Sequence, residues 1–497
     1  MKTTLRAALS VALLIGFYVL AVGLVVAVGA FGLGYGTDWD GSGAPTSLRP
    51  FVVGAAIALL LALIFAFGRV LALRPSPPAG VRLTQERAPE LWALVRDLAD
   101  RAGTREPDEI RLVGGANAAV TEESKLLGLI PGWRTVLVGL PLLRAYTVDQ
   151  LRAVLAHEMG HFSGRHTATV RLAHRGRMVI VETVRGTTVG VLRAVLTGYA
   201  HLYVAVEQSV SRELEYEADR TAVAAGGKTA MVSALREIRV VATGWDEYLE
   251  HHVLPAYDRG HLPEDLFGGF AAYLTACREE IRERSVEVAP AEPGWWDSHP
   301  PIGARIAALR FVPDVPVAAD GRPATALLPD LDAAGRQLQA GLFERPGVRL
   351  LPWDRLTPTL AYQSARGLAH PLFQAATRLT GRADADLDQL LDLFAADRYA
   401  DLARELSLDT DAESGLEALT AAFEGAVEAA AVDSGAAAWQ HSWTGPPELL
   451  TTTGEPLPLG ELVELAGDPA TVPAARDRLA ALGIRTSVAA PTGAATA

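Results

Sequence analysis

The chain has 497 residues, a length that predicts two or three folded units rather than one. Its formal net charge of -13 at pH 7 excludes the broad basic surface of a nucleic-acid-binding protein, so no nucleic-acid partner is expected. Cys277 is the only cysteine, which excludes an intramolecular disulfide and fits a reducing compartment.

Two uncharged apolar segments stand at the start of the chain. Residues 7–37 exceed the roughly 20 residues that a membrane-spanning helix needs, and residues 51–68 form a second, shorter segment. We therefore expect residues 1–74 to be a membrane anchor, a two-span hairpin with the lipid bilayer as its partner.

The basic residues around this hairpin predict its orientation. Lysine and arginine lie before the first segment and after the second, at Lys2, Arg6, Arg69, Arg74 and Arg82. The intervening loop, residues 38–49, carries two aspartates and a single arginine. The positive-inside bias predicts a multi-pass plasma-membrane protein in which the chain after about residue 70 lies on the cytoplasmic side.

A proline-rich break at residues 74–80 separates the anchor from a predicted domain over residues 80–312. This domain begins with an amphipathic helix and two strand-like runs, EIRLVGG and RTVLVG. Thr147 and Gln150 then form a predicted capping box at the start of a further helix.

A second proline-containing break, near Pro313 and Pro316, precedes an alanine-rich acidic region. We expect residues 317–488 to form an accessory domain, soluble and α+β. The predicted fold is thus mainly α, with a small sheet in the central domain.

The helix that begins near Thr147 contains the stretch HEMGH. His157 and His161 lie four residues apart, so on a helix both project from one face and can bind one metal ion. Glu158 lies beside the predicted metal position, where it can act as a general base.

The third ligand is open on the residues alone. A third histidine at metzincin spacing is excluded, because that position holds Thr167. A later helix, SRELEYEAD, offers two carboxylate pairs at i, i+4 spacing, Glu215 with Asp219 and Glu213 with Glu217. One member of either pair can bind metal while the other orients a ligand histidine.

These motifs, preceded by two apolar segments, resemble the HtpX and CAAX prenyl protease family of membrane-bound zinc gluzincins. The resemblance implies an α+β peptidase fold with the HExxH motif on a helix, and one Zn²⁺ per chain. It also implies that Glu215 is the third zinc ligand and that Asp219 orients a ligand histidine.

Two further segments carry the resemblance. DSHPPIGARI matches a family motif, which implies that His299 and Arg305 stabilise the oxyanion that develops during catalysis. In an alternative, His299 binds the zinc itself in a resting state. Asn117 and Ala118 match a motif that implies an edge strand on which an extended peptide substrate binds.

These features predict an integral membrane zinc endopeptidase that hydrolyses membrane or misfolded proteins. The alternatives are a catalytically inactive membrane scaffold and a CAAX-type processing protease. A site-2-type intramembrane protease is excluded, because arginines flank the motif at Arg152, Arg165 and Arg171.

Two stretches carry less specific signals. Residues 178–208 contain charges that oppose a membrane span, so we expect one or two amphipathic helices near the membrane. Residues 250–265, which contain His251, His252 and His261, predict a loop that lines the cleft rather than a second metal site.

Overall fold

The structure is a computed structural model. It describes residues 2–34, 54, 57, 80–125, 130–162, 176–177, 180–185, 190–287, 300–382, 385–408 and 413–487. Within these residues the protein is mainly helical, as the sequence predicts, and it has three small sheets. The second predicted membrane span falls almost entirely outside the described residues.

The chain divides into two compact units. The first comprises residues 1–246 and 278–344, and the second comprises residues 247–277 and 345–497. The division into residues 1–74, 80–312 and 317–488 stays a prediction.

The first unit contains the N-terminal helix, a four-stranded sheet and the helices around it. Its elements are α1 (Lys2–Gly34), β1 (Val81–Leu83), α2 (Pro89–Ala102), β2 (Glu109–Val113), β3 (Ala118–Lys125), β4 (Ile130–Gly139), α3 (Leu140–Ala145), α4 (Val148–Gly160), α5 (Gly190–Gly226), most of α6 (Lys228–Tyr248), the last part of α8 (Leu266–Glu287), α9 (Ile302–Leu309), a 3₁₀ turn (Ala324–Leu327) and α10 (Leu331–Leu342).

The sheet has the strand order β1-β2-β4-β3. β2 and β4 pair in parallel, with Ile110 opposite Val136, while β1 and β3 run antiparallel to their neighbours. Alternate residues of a strand share one face, and Ile110 with Leu112 and Val136 with Val138 are fully buried. Because β3 stands last in the strand order, it is an edge strand among the described residues. Helix α4 packs beside it.

The predicted capping box fixes the start of α4. The Thr147 hydroxyl accepts the Gln150 backbone N–H at 3.3 Å, and the Gln150 side chain accepts the Thr147 N–H at 2.9 Å. Leu151 and Leu155 are fully buried on the core side of this helix. His157, two residues beyond Leu155, projects from the other side of the helix and is also buried, at 4% exposure, so α4 is enclosed on both sides here.

The first predicted span is helical as α1, and it packs against the first half of α5. Phe17 and Ala21 form a buried cluster with Leu196, Ala200 and Tyr203. Among the residues that the structure describes, no helix combines the length and apolarity needed to cross a membrane.

The second unit consists of the remaining helices and two two-stranded sheets. Its elements are a π-helix (Leu249–Val253), α7 (Leu254–Asp258), β5 (His261–Pro263), the first part of α8, β6 (Arg349–Leu351), α11 (Trp353–Thr380), α12 (Leu387–Ala395), α13 (Tyr399–Glu405), α14 (Glu413–Asp433), β7 (Ala437–Gln440), β8 (Glu448–Thr451), α15 (Leu459–Ala466) and α16 (Val472–Ala481). Helices α11 and α14 pack together over a core of alanine, leucine and phenylalanine side chains.

The prediction of a loop over residues 250–265 is wrong. This stretch contains the π-helix, α7 and the three-residue strand β5. His252 packs against Tyr273 and Trp443, with ring centroids 5.2 and 5.3 Å away. Burial of aromatic surface stabilises regular structure in this stretch despite its turn-like composition. The local sequence pattern therefore predicts a loop where the chain is helical.

Candidate metal centre

Two helices bring three metal-ligating side chains together. His157 lies near the end of α4, His161 is the C-cap residue that follows α4, and Glu215 lies on α5. One ligand atom from each residue lies within 4.8 Å of the other two. The Nε2 atoms of His157 and His161 each lie 3.5 Å from a different carboxylate oxygen of Glu215.

These separations fit a tetrahedral metal ion. Zinc bonds to nitrogen and oxygen of 2.0–2.2 Å imply about 3.4 Å between neighbouring ligand atoms. Two imidazoles and one carboxylate are also a donor set that zinc prefers when a fourth position stays open for water or substrate. The residues present therefore fit this ion in donor type and in the two separations that involve Glu215.

The two ligand-bearing helices approach closely through small residues. A Cβ added to Gly160 would lie 3.0 Å from the Cα of Ala218, and one added to Gly226 would lie 3.2 Å from the Cα of Ala153. Because these glycines have no side chain, the helix backbones come near enough for Glu215 to reach both imidazoles.

Behind the ligands lies a buried carboxylate held by an arginine. Asp219 is one turn beyond Glu215 on α5, and its Oδ1 lies 3.0 Å from Nδ1 of His157. Arg305, on α9, donates from Nε and Nη2 to the two oxygens of Asp219, at 3.0 and 2.6 Å. Asp219 thus orients the His157 ring, and the two-point contact with Arg305 orients Asp219.

The buried charges shift one another's pKa values. Burial lowers the pKa of His157, but Asp219 and Glu215 more than offset this and raise it to about 9. Burial raises the pKa of Asp219, yet hydrogen bonds from His157 and Arg305 hold it below its usual value. Asp219 is therefore ionised and able to accept the Nδ1 proton of His157, which leaves Nε2 for a metal ion.

Glu158 follows His157 directly on α4 and is half-buried, whereas His157 is only 4% exposed. A carboxylate beside two metal ligands, with access to solvent, is placed to exchange a proton with water at the centre. These residue types can support hydrolysis by water at a bound metal ion.

Comparison with known proteins relates this arrangement to a family. Residues 85–312 match peptidase family M48. Over these residues the chain is similar to the peptidases of family M48. Residues 85–312, here called the M48 region, contain the capping box of α4 and all three candidate metal ligands. They also contain Asp219 and Arg305.

Relatives of the M48 region include several proteins named as HtpX proteases. The chain is 29% identical to the protease HtpX homolog of Pyrococcus abyssi over 174 residues, which are 31% of this chain and 58% of the relative. It is 30% identical to the homolog of Thermococcus kodakarensis over 171 residues, or 30% of this chain and 57% of the relative.

A third relative is covered more fully. The protease HtpX homolog of a Janthinobacterium species is 28% identical over 282 residues, which are 52% of this chain and 89% of the relative. The chain thus spans less than two thirds of the two archaeal relatives but most of this bacterial one. No solved structure gives a significant match.

The structure places most of the other predicted site residues of the M48 region. Asn117 is exposed immediately before β3, and Ala118 begins β3, opposite Val138 of β4. His299 lies outside the described residues. Arg305 is buried against Asp219.

Sequence reasoning missed the contact between Arg305 and Asp219. Its signal was present in IGARIAAL, an otherwise uncharged and largely apolar helix with one arginine. An arginine on the buried side of such a helix needs a buried carboxylate as its partner. The pattern identifies the need for a partner, but only the fold shows that the partner is Asp219.

Proposed function

We propose that this protein is a zinc-dependent endopeptidase of the membrane that hydrolyses membrane or misfolded proteins. The observation that carries the proposal is the cluster of His157, His161 and Glu215 in a chain similar to peptidase family M48. When bound, zinc would supply a Lewis acid that polarises the scissile carbonyl and acidifies water.

The protein's own residues would complete the chemistry. Glu158 takes the proton of the attacking water and passes it to the leaving amine. Asp219 keeps the metal-facing nitrogen of His157 free by accepting the proton on its other nitrogen. Arg305 holds Asp219 in place, since both of its contacts with that carboxylate are within hydrogen-bonding distance.

Edge strand β3 is the proposed substrate-binding element. It is paired with β4 on one side, and within the described residues no strand pairs with its other side. An extended peptide can add to such an edge through main-chain hydrogen bonds, which impose little sequence preference. Asn117 and Ala118 lie where a bound peptide would enter or leave this edge.

Residues 1–74, which include α1, are the proposed membrane anchor, with the M48 region on the cytoplasmic side. Relatives named HtpX and the uncharged sequence of residues 7–34 support this assignment. The Tyr199 hydroxyl on α5 donates to the Leu13 carbonyl of α1 at 2.8 Å. The first half of α5 therefore lies alongside the proposed anchor.

The decisive experiment compares the purified full chain with its Glu158→Gln variant. We expect the variant to lose about 100- to 10,000-fold in the turnover of casein and of a membrane-protein substrate, because Gln cannot accept a proton. Its zinc content should equal that of the wild type, since Glu158 is not among the three ligands. Equal turnover by both proteins would exclude Glu158 as the base, and absence of zinc from both would exclude the metallopeptidase.

A further inference from the structure

Residues 314–324, which we call the clamp, lie beyond the M48 match and run past one end of each ligand-bearing helix. They contact the start of α4 and the junction between α5 and α6. Both contacts lie at the ends of α4 and α5 that are remote from the metal ligands.

At α4 the clamp accepts hydrogen bonds from the first two amides of the helix. The Val148 N–H donates to the Arg322 carbonyl at 2.8 Å, and the Asp149 N–H donates to the Asp320 carbonyl at 3.2 Å. The first four amides of a helix have no acceptor within the helix, so these contacts satisfy groups that would otherwise need water.

Asp149 ties the clamp to α4 a second time through its side chain. Its Oδ2 accepts the Asp320 N–H at 2.8 Å, and its Oδ1 accepts Arg152 Nη1 at 3.0 Å. Arg152 Nη1 also donates to the Ala318 carbonyl at 3.2 Å. The Asp149 side chain is 20% exposed, so these contacts are only partly screened by water.

At the other helix, Asp314 Oδ1 accepts the backbone N–H of Lys228 at 3.0 Å. Lys228 is the first residue of α6, two residues after α5 ends at Gly226. Gly227, between these two helices, has φ +85, a left-handed conformation that favours glycine. The clamp thus holds the point at which the chain leaves the helix that carries Glu215.

Each helix connects one of these remote contacts to a metal ligand. At 1.5 Å per residue, His157 lies about 13 Å along α4 from Val148, and Glu215 lies about 16 Å along α5 from Gly226. The helices transmit a displacement of their ends to their ligands, and a metal site requires ligand positions within about 0.5 Å.

We propose that the clamp holds α4 and α5 in register for metal binding and that Asp149 is its positioning residue. The proposal rests on the metal-binding role proposed above. It assigns to residues outside the M48 match a part in assembling the M48 metal site.

The test is metal affinity in the full chain, measured by competition with a chelator for Zn²⁺ and by the visible absorption spectrum with Co²⁺. We expect Asp149→Ala to weaken Zn²⁺ binding about tenfold and to alter the Co²⁺ spectrum. Tenfold is the lower limit typical of residues that orient metal ligands without binding the metal. Asp149→Asn should restore both, because its amide oxygen can still accept the Asp320 N–H.

Two further variants separate positioning from general destabilisation. Asp314→Ala loosens the clamp at α5 without touching α4, and we expect it to weaken metal binding in the same direction. Asp97→Ala removes an ion pair with Arg101 on α2, whose atoms are 2.8 Å apart, and should leave affinity and spectrum unchanged.

Wild-type affinity and spectrum in both Asp149→Ala and Asp314→Ala would overturn the clamp proposal, as would failure of Asp149→Asn to improve on Asp149→Ala. A wild-type chain that binds no metal would instead overturn the proposed function, and the clamp proposal with it.

Discussion

Glu215 is distinguished from the neighbouring carboxylates by the direction in which it projects from α5. Glu215 and Asp219 lie one turn apart and face α4, where both are less than 5% exposed. Glu213 projects elsewhere and lies 3.6 Å from Arg220, with half of its side chain exposed. One helical face therefore supplies both a candidate metal ligand and the carboxylate that contacts Nδ1 of His157.

Substitutions of Glu215 and Glu213 should differ in their effect on zinc binding, because the two side chains project from different faces of α5. We expect Glu215→Ala to lose bound zinc, because two imidazoles alone leave the site one ligand short. Glu213→Ala should retain the wild-type zinc content. Metal analysis of the purified variants gives the answer, and zinc retained in Glu215→Ala but lost in Glu213→Ala would reverse the assignment.

Arg305 allows a second prediction at the scale of single residues. Arg305→Ala leaves Asp219 buried without its cation, so we expect zinc affinity to fall about 10- to 100-fold, together with turnover. Arg305→Lys should recover little, because an ammonium group cannot make the two-point contact. Arg310→Ala, an exposed change at the end of α9, is the control.

The alternative for Arg305 is direct stabilisation of the oxyanion. In that case Arg305→Ala would lower turnover about 100- to 1,000-fold with zinc affinity unchanged. Measuring affinity and turnover on the same preparation distinguishes the two roles. Of the two, the contacts with Asp219 favour positioning.

Among the elements, the π-helix Leu249–Val253 is the least predictable from local sequence. π-helical turns are rare and occur mostly as single turns within α-helices, frequently at functional sites. Here the π-helix places His252 among Tyr248, Tyr273 and Trp443 in the second unit. Burial, together with His441 and His251, lowers the pKa of His252 from 6.5 to about 4.

This shift predicts how stability depends on pH. His252 is neutral in the folded protein, so its contribution is fully present above pH 6.5 and is lost as the pH falls towards 4. We expect His252→Phe to flatten this part of the profile, because the ring remains and the proton site does not. Urea unfolding followed by tryptophan fluorescence from pH 7 to 4 measures the effect.

The control for this prediction is His370→Gln, which removes an exposed imidazole on α11. It should leave the profile as steep as in the wild type between pH 6.5 and 4. A His252→Phe profile as steep as the wild type would show that other groups cause the acid sensitivity.

At the scale of the whole molecule, one helix connects the proposed anchor with the candidate metal centre. Phe17 and Ala21 of α1 pack against the first half of α5, and the same helix carries Glu215 farther along.

Topology can be tested with a single introduced cysteine. In a Cys277→Ser background, Ser42→Cys should react with a membrane-impermeant thiol reagent on intact cells, because the basic residues predict that its loop lies outside. Thr453→Cys, in an exposed turn after β8, should react only after lysis. The reverse pattern would place the metal centre on the outer side.

The sequence by itself determined the features that depend on neighbours along the chain. The spacing of His157 and His161, the capping of α4 by Thr147 and Gln150, and the branched residues of β2 and β4 are local signals. Each follows from helix or strand periodicity within a few residues, so no knowledge of packing is required.

Only the tertiary structure decided which partners meet across long separations. Residue spacing left two carboxylate pairs open on α5, and the packing of α4 against α5 selects Glu215 with Asp219. The partnership of Arg305 with Asp219 and the ties between the clamp and α4 span 86 and 171 residues. Such contacts depend on how elements pack, because a periodic pattern specifies which face is buried but not which residue covers it.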